Sequence, residues 1–452
     1  MKSLKLNKKN RRGVAFILAM IFMALLASLS VGIATMSSAN AQLALNHKEG
    51  NRAMNNAMSG VQIVRYVLEG MSEPNSFSLE SGMRSQLIWK GLTGVTASYT
   101  EDTISLASMP VDSESGSFSS TITLLQNSWQ ADITGISGEI SRTIRVNFNL
   151  IERGNPAFDF GIATKGPLLM TGQTEITGFN VAVESDVLID TSTGDNSFEI
   201  GNQGLIEGSV HIVDPLASYD VGTKSEIGGD TGSDAEDNVI LGVEPVEFPV
   251  PDTEYFRQFA TGDTIDSTTN LSDYSVLNNV IIAANTNPTF ASNTVINGVL
   301  FVEQPNKVTF AGKVDIYGII VGNGDIGEYS SDSTFDFSGQ IECHDVSSLE
   351  GEEFNSIKSE TGSFLIAPSS VVDFSGQSNV INGVIACSGV RFTGQAGGVI
   401  NGSIVNYSSE PMVMQGQGSL CFNRSGTTQN PAGFTPVKTL TYNPDSYQEL
   451  RN

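Results

Sequence analysis

The side chains able to do chemistry in this chain of 452 residues are few and far apart. Three histidines, His47, His211 and His344, are scattered along it, and three cysteines, Cys343, Cys387 and Cys421, lie in the last third without CxxC or Cys/His ligand spacing. One disulfide with one free thiol and three buried thiols are both open, because pairing cannot be read from spacing. Two acidic stretches, 190–195 with Asp190 and Asp195 and 230–237 with Asp230, Asp234, Glu236 and Asp237, carry oxygens of the kind that hold Ca²⁺. Neither has EF-hand spacing, and both are expected to be solvated surface loops. Glycan-cleaving sites need clustered carboxylates with a Lys or Arg nearby, and the repeats described below place no two Asp residues at one coil position. The expectation is therefore a non-enzyme with no catalytic residues, no metal and no cofactor.

Bulk composition agrees with a chain of many turns and short strands. Apolar residues make up 39% and charged residues only 16%, with 46 Gly against 15 Pro. The formal charge is −25, yet Lys2, Lys5, Lys8, Lys9, Arg11 and Arg12 crowd into the first dozen positions. The remainder holds 18 basic against 49 acidic residues, a net of −31. Such a body repels a phosphate backbone, so nucleic acid is not an expected partner.

From residue 14 to 46 there is no Asp, Glu, Lys, Arg or His. The stretch VAFILAMIFMALLASLSVGIATM has the length of a bilayer-spanning helix. The cations before it belong in the cytoplasm, which leaves the acidic bulk outside. A secretory signal is the competing reading, since Ala39-Asn40-Ala41 resembles a cleavage site before Gln42, although signal h-regions are shorter. Helical character also runs past that point, with no proline until Pro74 and Met54, Met58, Val61 and Leu68 at helical spacing. A helix over 14–70 would be about 85 Å long, of which a bilayer takes about 30 Å. The domains expected are thus a basic leader over 1–13, a transmembrane and amphipathic helix over 14–70, an antiparallel β region over 71–153, a β-solenoid over 154–428 and a C-terminal tail over 429–452.

A cationic leader ending in Arg11-Arg12-Gly13, followed by an apolar helix that turns amphipathic, resembles the N-terminus of type IV pilins. The run from Arg11 through the Ser37-Ser38 exit to the NRA...A...G stretch at 51–60 resembles, more narrowly, the PilX-like minor pilins. That resemblance implies processing after Gly13, with Val14 as the mature N-terminus. It also marks a departure, because the fifth mature position of major pilins is Glu and here it is Leu18. By the resemblance, loss of that Glu goes with a minor or tip component rather than the repeating subunit. A plain single-pass anchor without peptidase or filament is the simpler reading of the same helix.

Beyond the helix, Phe118, Ile122 and Leu124, then Trp129, Ala131 and Ile133, then Ile144, Val146 and Phe148 alternate with polar residues. These are half-buried antiparallel strands, with turns expected at Gly116, Gly135 and Gly138 and the amphipathic half of the helix as cover. After residue 153 short repeats appear. An Ile-x-Gly element stands at Ile176, Ile206, Ile296, Ile316, Ile381 and Ile400, and a Phe-small-Gly element at Phe310, Phe337, Phe374 and Phe392. Offsets of 18 to 20 residues between close copies suit one solenoid coil each, and longer gaps such as 206–296 should hold degenerate coils or inserted loops. The expected fold is α+β followed by all-β, ending in a parallel β-solenoid whose lack of a strict six-residue repeat points to right-handed coiling; a β-sandwich competes. The segment Tyr442-Asn443-Pro444-Asp445-Ser446-Tyr447 resembles the close of PilX-like proteins with such a domain.

The functional expectation is a minor pilin or pilus-associated structural protein of a type IV pilus or related secretion system, carrying a β-solenoid for adhesion or filament assembly. Its expected partners are other pilins or pilus assembly proteins, the inner membrane, and a surface or glycan ligand. Its expected place is single-pass in the inner membrane with the bulk in the periplasm before assembly. The alternative is a secreted β-solenoid that binds or cleaves polysaccharide.

Overall fold

The computed structural model describes residues 11–69, 97–100, 103–111, 116–125, 128–191, 196–271, 275–291, 293–327, 330–426 and 430–450. Lys2, Lys5, Lys8, Lys9, Gly70, residues 71–96 and Asp195 lie outside them. The chain divides into two compact units, one formed by residues 1–151 and 438–452 and the other by Glu152–Val437.

The first unit is a helix on a sheet. Helix α1 (Arg11–Leu68) begins before the expected boundary at residue 14, since nothing in Arg-Arg-Gly stops a helix as proline would. Strands β1 (Ala97–Thr100), β2 (Thr103–Pro110), β3 (Ser117–Leu124), β4 (Ser128–Ser137) and β5 (Ile140–Arg153) pair antiparallel in chain order. Ala57, Val61, Val64 and Leu68 of α1 bury against Phe118, Ile122, Trp129, Ile133 and Val146. Gly138 turns the β4–β5 hairpin with φ of 58°. Gly135 is not a turn residue as expected. It lies inside β4, where any Cβ would strike the backbone of Ala53 and Ala57, so it is the point at which helix and sheet touch main chain to main chain.

The segment expected to be a tail is also structured. Phe434 is buried in the second unit, and Val437–Leu450 forms a sixth strand beside β5. Phe148 packs on Tyr442 with ring centroids 5.8 Å apart, and Leu440 is fully buried. An apolar alternation of only a few residues, interrupted by Pro444, was too short to signal a strand before its partner was known.

Among the described residues the second unit is a β-solenoid of three stacked sheets with twelve, nine and seven strands, parallel except at the Asp230–Thr231 hairpin. The repeats fall into register as cross-coil columns: Ile296 pairs with Ile316, Ile381 with Ile400, and Ile206 with Ile176. Phe290, Phe310, Phe337, Phe374 and Phe392 form a continuous inner stack, with successive ring centroids 5.2, 4.7, 4.8 and 4.9 Å apart. That spacing is the strand separation itself, so each ring lies over the next without leaving a void.

The coils do not follow one another in simple chain order. The first coil (Ile162–Thr164, Leu168–Gly172, Glu175–Gly178) sits in the middle of the stack, and two further coils lead to one end at Val239–Leu241. Residues 242–263 then return to the opposite end at Thr264–Ile265, and the remaining coils wind back until Ile404–Asn406, Met412–Gly416 and Ser419–Phe422 pair with the first coil. The gap 206–296 holds both of the things expected of it, a degenerate coil (Val210–Ile212, Tyr219–Val221 and Glu226–Ile227) and an inserted connecting strap, and the two ends of the stack lie within it as well. The strap has a purpose in the packing. Val299, Phe301, Ile319, Val321 and Ile366 point outward from the twelve-stranded sheet, and Phe248, Phe256, Phe259 and Phe434 cover them. Strands buried on both faces show as unbroken apolar runs, which is what residues 299–302, 319–321 and 364–367 are.

Candidate functional site

Helix α1 changes character along its length. Every side chain from 14 to 48 is exposed, including Val14 (63%) and Leu18 (59%), whereas the buried face begins at Ala53. Three hydroxyls in the apolar half bond within the helix: Ser28 Oγ donates to the Leu25 carbonyl at 2.9 Å, Ser30 Oγ to Leu26 at 2.8 Å and Thr35 Oγ1 to Val31 at 3.0 Å. A helix long and apolar enough to cross a membrane, with these hydroxyls bonded to its own backbone, suits a hydrocarbon surround. Gly13 and Val14 stand in one continuous helical turn at its start.

The solenoid offers two uncovered sheets, of nine and seven strands, joined by corners at which polar residues form ladders. At the corner after the seven-stranded sheet, Asn401 Nδ2 donates to Asn382 Oδ1 at 2.5 Å, Asn423 Nδ2 to Asn401 Oδ1 at 3.1 Å and Asn180 Nδ2 to Asn423 Oδ1 at 3.2 Å. Asn382 and Asn401 are the middle residues of Ile-x-Gly elements, and the glycines of two such elements, Gly298 and Gly383, hold φ of 79° and 121°. On the other side of that sheet Gln395 Nε2 donates to Gln417 Oε1 at 3.4 Å and Gln417 Nε2 to Gln173 Oε1 at 3.1 Å. This glutamine ladder was missed in the sequence reading, although its signal, Gln directly after five of the Phe/Met-x-Gly turns with Lys313 after the sixth, is visible once the coils are aligned.

The titratable side chains stay dispersed. His47 is exposed on α1, His211 packs edge-on to Phe160 at 5.6 Å with Asp186 Oδ2 3.8 Å from Nε2, and His344 stacks on Tyr317 at 4.0 Å. All three cysteines are free thiols, so no disulfide ties the coils. Burial pushes the Cys343 and Cys387 thiols well above their ordinary range, Cys387 further still through the nearby Asp373 carboxylate. Of the acidic stretches, 230–237 closes one end of the solenoid, where Asn238 Nδ2 donates to the Ile227 carbonyl at 2.9 Å and to Asp230 Oδ2 at 3.1 Å. Among the described residues no three His, Cys, Asp or Glu side chains gather as metal ligands would.

One expectation about the acids fails. Asp336 and Asp373 do occupy the same coil position, paired across adjacent strands of the nine-stranded sheet, and Arg391 Nη1 lies 3.9 Å from Asp373 Oδ1. Burial raises the Asp373 carboxyl, Arg391 opposes that, and Asp336 adds to it. The 37-residue offset between the two, about twice the coil length, hid the match: residues 340–367 carry an extra excursion before the next coil closes.

Among the described residues the most buried carboxylate is that of Glu184, 5% exposed. Its burial pushes the carboxyl up, but donors from Asn180, both backbone and side chain, from Arg424 N and from Val181 N outweigh this and hold it below the usual range. It borders a cleft of about 730 Å³ that Arg153, Asn155, Ser403 and Arg424 also line. Arg424 is a brace across that cleft, donating to the carbonyls of Phe158 at 3.4 Å, of Val183 at 2.8 Å and of Asp159.

No family model and no curated sequence matches the chain. Among solved structures, a competence-associated pilin, ComZ, from Thermus thermophilus is similar at 11% identity over 89% of this chain and 98% of that one, with a TM-score of 0.25. An ice-binding protein from an Antarctic biological consortium is similar at 11% identity over 59% of this chain and 88% of that one, with a TM-score of 0.18. Both likenesses are too distant to speak to function.

Proposed function

We propose that this protein is a membrane-anchored, pilin-like minor component of a type IV pilus or related secretion filament, and that its solenoid is the displayed module, serving adhesion or assembly. The observation that supports this best is the division of α1: its first half is wholly exposed and apolar, and its second half is locked onto an antiparallel sheet. A helix built in this way can leave a bilayer for a bundle of like helices without disturbing the unit it carries, since among the described residues its side chains from 14 to 48 are all exposed. On this reading the six cations of the leader hold the N-terminus in the cytoplasm. Leu18, apolar where the repeating pilin subunit has Glu, favours a minor or tip position.

The test is N-terminal sequencing and intact mass of the protein recovered from membranes and from sheared surface filaments. A mature start at Val14 is expected. A start at Gln42 would remove the anchor and leave a secreted solenoid, and an intact leader on all recovered protein would leave a plain membrane anchor.

A further inference from the structure

The solenoid's turn after the nine-stranded sheet repeats one short pattern on five neighbouring coils. Phe337, Phe374, Phe392, Met414 and Met170 point inward, and each is followed by a small or polar residue, a glycine and a glutamine. The glutamines are Gln340, Gln377, Gln395, Gln417 and Gln173, and all five are exposed. Gly394 and Gly416, and Gly416 and Gly172, pair directly across strands, and Gly376 sits on the carbonyl of Gly339, so the five turns superpose. Beside the glutamines runs a second outward column, Ser338, Ser375, Thr393, Gln415 and Thr171. At the strand separation of about 4.8 Å the strip is about 19 Å long.

We propose that this strip is a binding site for a neutral, hydroxyl-rich polymer, a polysaccharide chain lying along the solenoid axis. Each glutamine amide has two N–H donors and a carbonyl with two lone pairs, and the bonds within the ladder use one donor and one acceptor. The remaining donors and acceptors face solvent in a fixed row, which matches sugar hydroxyls that both donate and accept. No carboxylate, Lys or Arg stands in either column over these five coils. A chain of net charge −25 repels acidic polymers, and a cationic one would find no counter-charge within the strip, the nearest acids, Asp336 and Asp373, standing one column away beside Arg391. A peptide strand docks on an open backbone edge, whereas the backbone at this corner is already bonded from coil to coil, Gln417 N to the Gly394 carbonyl and Gln173 N to the Gly416 carbonyl, both at 2.7 Å. Repetition at a constant step selects a repeating ligand, because several weak contacts engage together.

This inference deepens the reading of the solenoid as a displayed module and is independent of processing at Gly13. The full chain in detergent micelles is sedimented with powdered cellulose, chitin and starch granules, with alginate beads as the acidic comparison. Retention is expected on at least one neutral polysaccharide and not on alginate. The double substitution Gln395→Glu and Gln417→Glu should lower it at least tenfold, while Leu216→Glu with Val250→Glu, which adds the same charge away from the strip, should leave it unchanged. Melting curves report whether each variant folds. If the first pair unfolds the protein, Gln340→Glu with Gln377→Glu alters the strip outside the bonded ladder and must give the same loss. Retention on none of the three polysaccharides, equal retention on alginate, or retention indifferent to the glutamine variants overturns the proposal. None of those results bears on the filament reading, which stands or falls on the mature N-terminus.

Discussion

Glu184 accepts hydrogen bonds from Asn180, Val181 and Arg424, joining the loop of the first coil to that of the last. Its folded pKa is depressed, so its contribution is present above the unfolded value of about 4.3 and is lost as pH falls through the folded one. Glu184→Gln should therefore lower the melting temperature at pH 7, with the gap to the parent closing below about pH 4. A gap that stays constant down to pH 3 would mean that the charge is not what the site holds. The thiols give a second residue-scale expectation. Cys343 and Cys387 are buried and their thiolates are disfavoured, while Cys421 is partly exposed on the seven-stranded sheet. Under native conditions iodoacetamide should label Cys421 first, as peptide mass mapping would show. The cysteines were visible in the sequence, but their pairing was not, because it depends on which coils become neighbours.

At the level of elements, the junction of α1 with β4 depends on two glycines. Gly60 leaves room for the rings and methyls of Phe118 and Ile133, and Gly135 lets β4 meet the backbone of α1. Gly135→Val must push the helix off the sheet and should cost about 3 kcal/mol in the first unit, measured by chemical denaturation. Within the solenoid, Phe337 lies between Phe310 and Phe374 in the inner stack, and Phe337→Ala should cost about 3–5 kcal/mol. A loss below 1 kcal/mol would show that the coils close over the missing ring. The amphipathic half of α1 and the alternation of β3 to β5 were legible because burial on one face leaves a period in the residues themselves. Gly135 was misread as a turn because a glycine required by a close neighbour looks no different along the chain from one required by a bend.

Across the whole second unit, chain order and spatial order diverge. The first and last coils, at the two ends of the inserted segment Glu152–Val437, are packed against one another mid-stack, while coils from mid-sequence form both ends. Stacked repeats fray from exposed ends inward. Amide hydrogen exchange should therefore be slowest in 162–170 and 404–414 and fastest in 219–241 and 264–290. Protection that instead falls off toward residues 152 and 437 would contradict the closed arrangement.

The sequence alone determined the features whose cause is local. An uncharged run from 14 to 46 reads as a helix long and apolar enough to cross a bilayer because that test requires nothing beyond length and apolarity. An offset of 18 to 20 residues between Ile and Phe repeats is a coil because each coil must return its core residues to one column. Only the tertiary structure decided which coils touch, which sheet is covered, and that Val437–Leu450 completes the antiparallel sheet. The reason is that parallel pairing is nearly indifferent to identity: Ile404 fits beside Ile162 as well as beside Ile385. Packing of the strap against the outward apolar runs, and closure of the last coil on the first, select one arrangement among many that the repeats would allow.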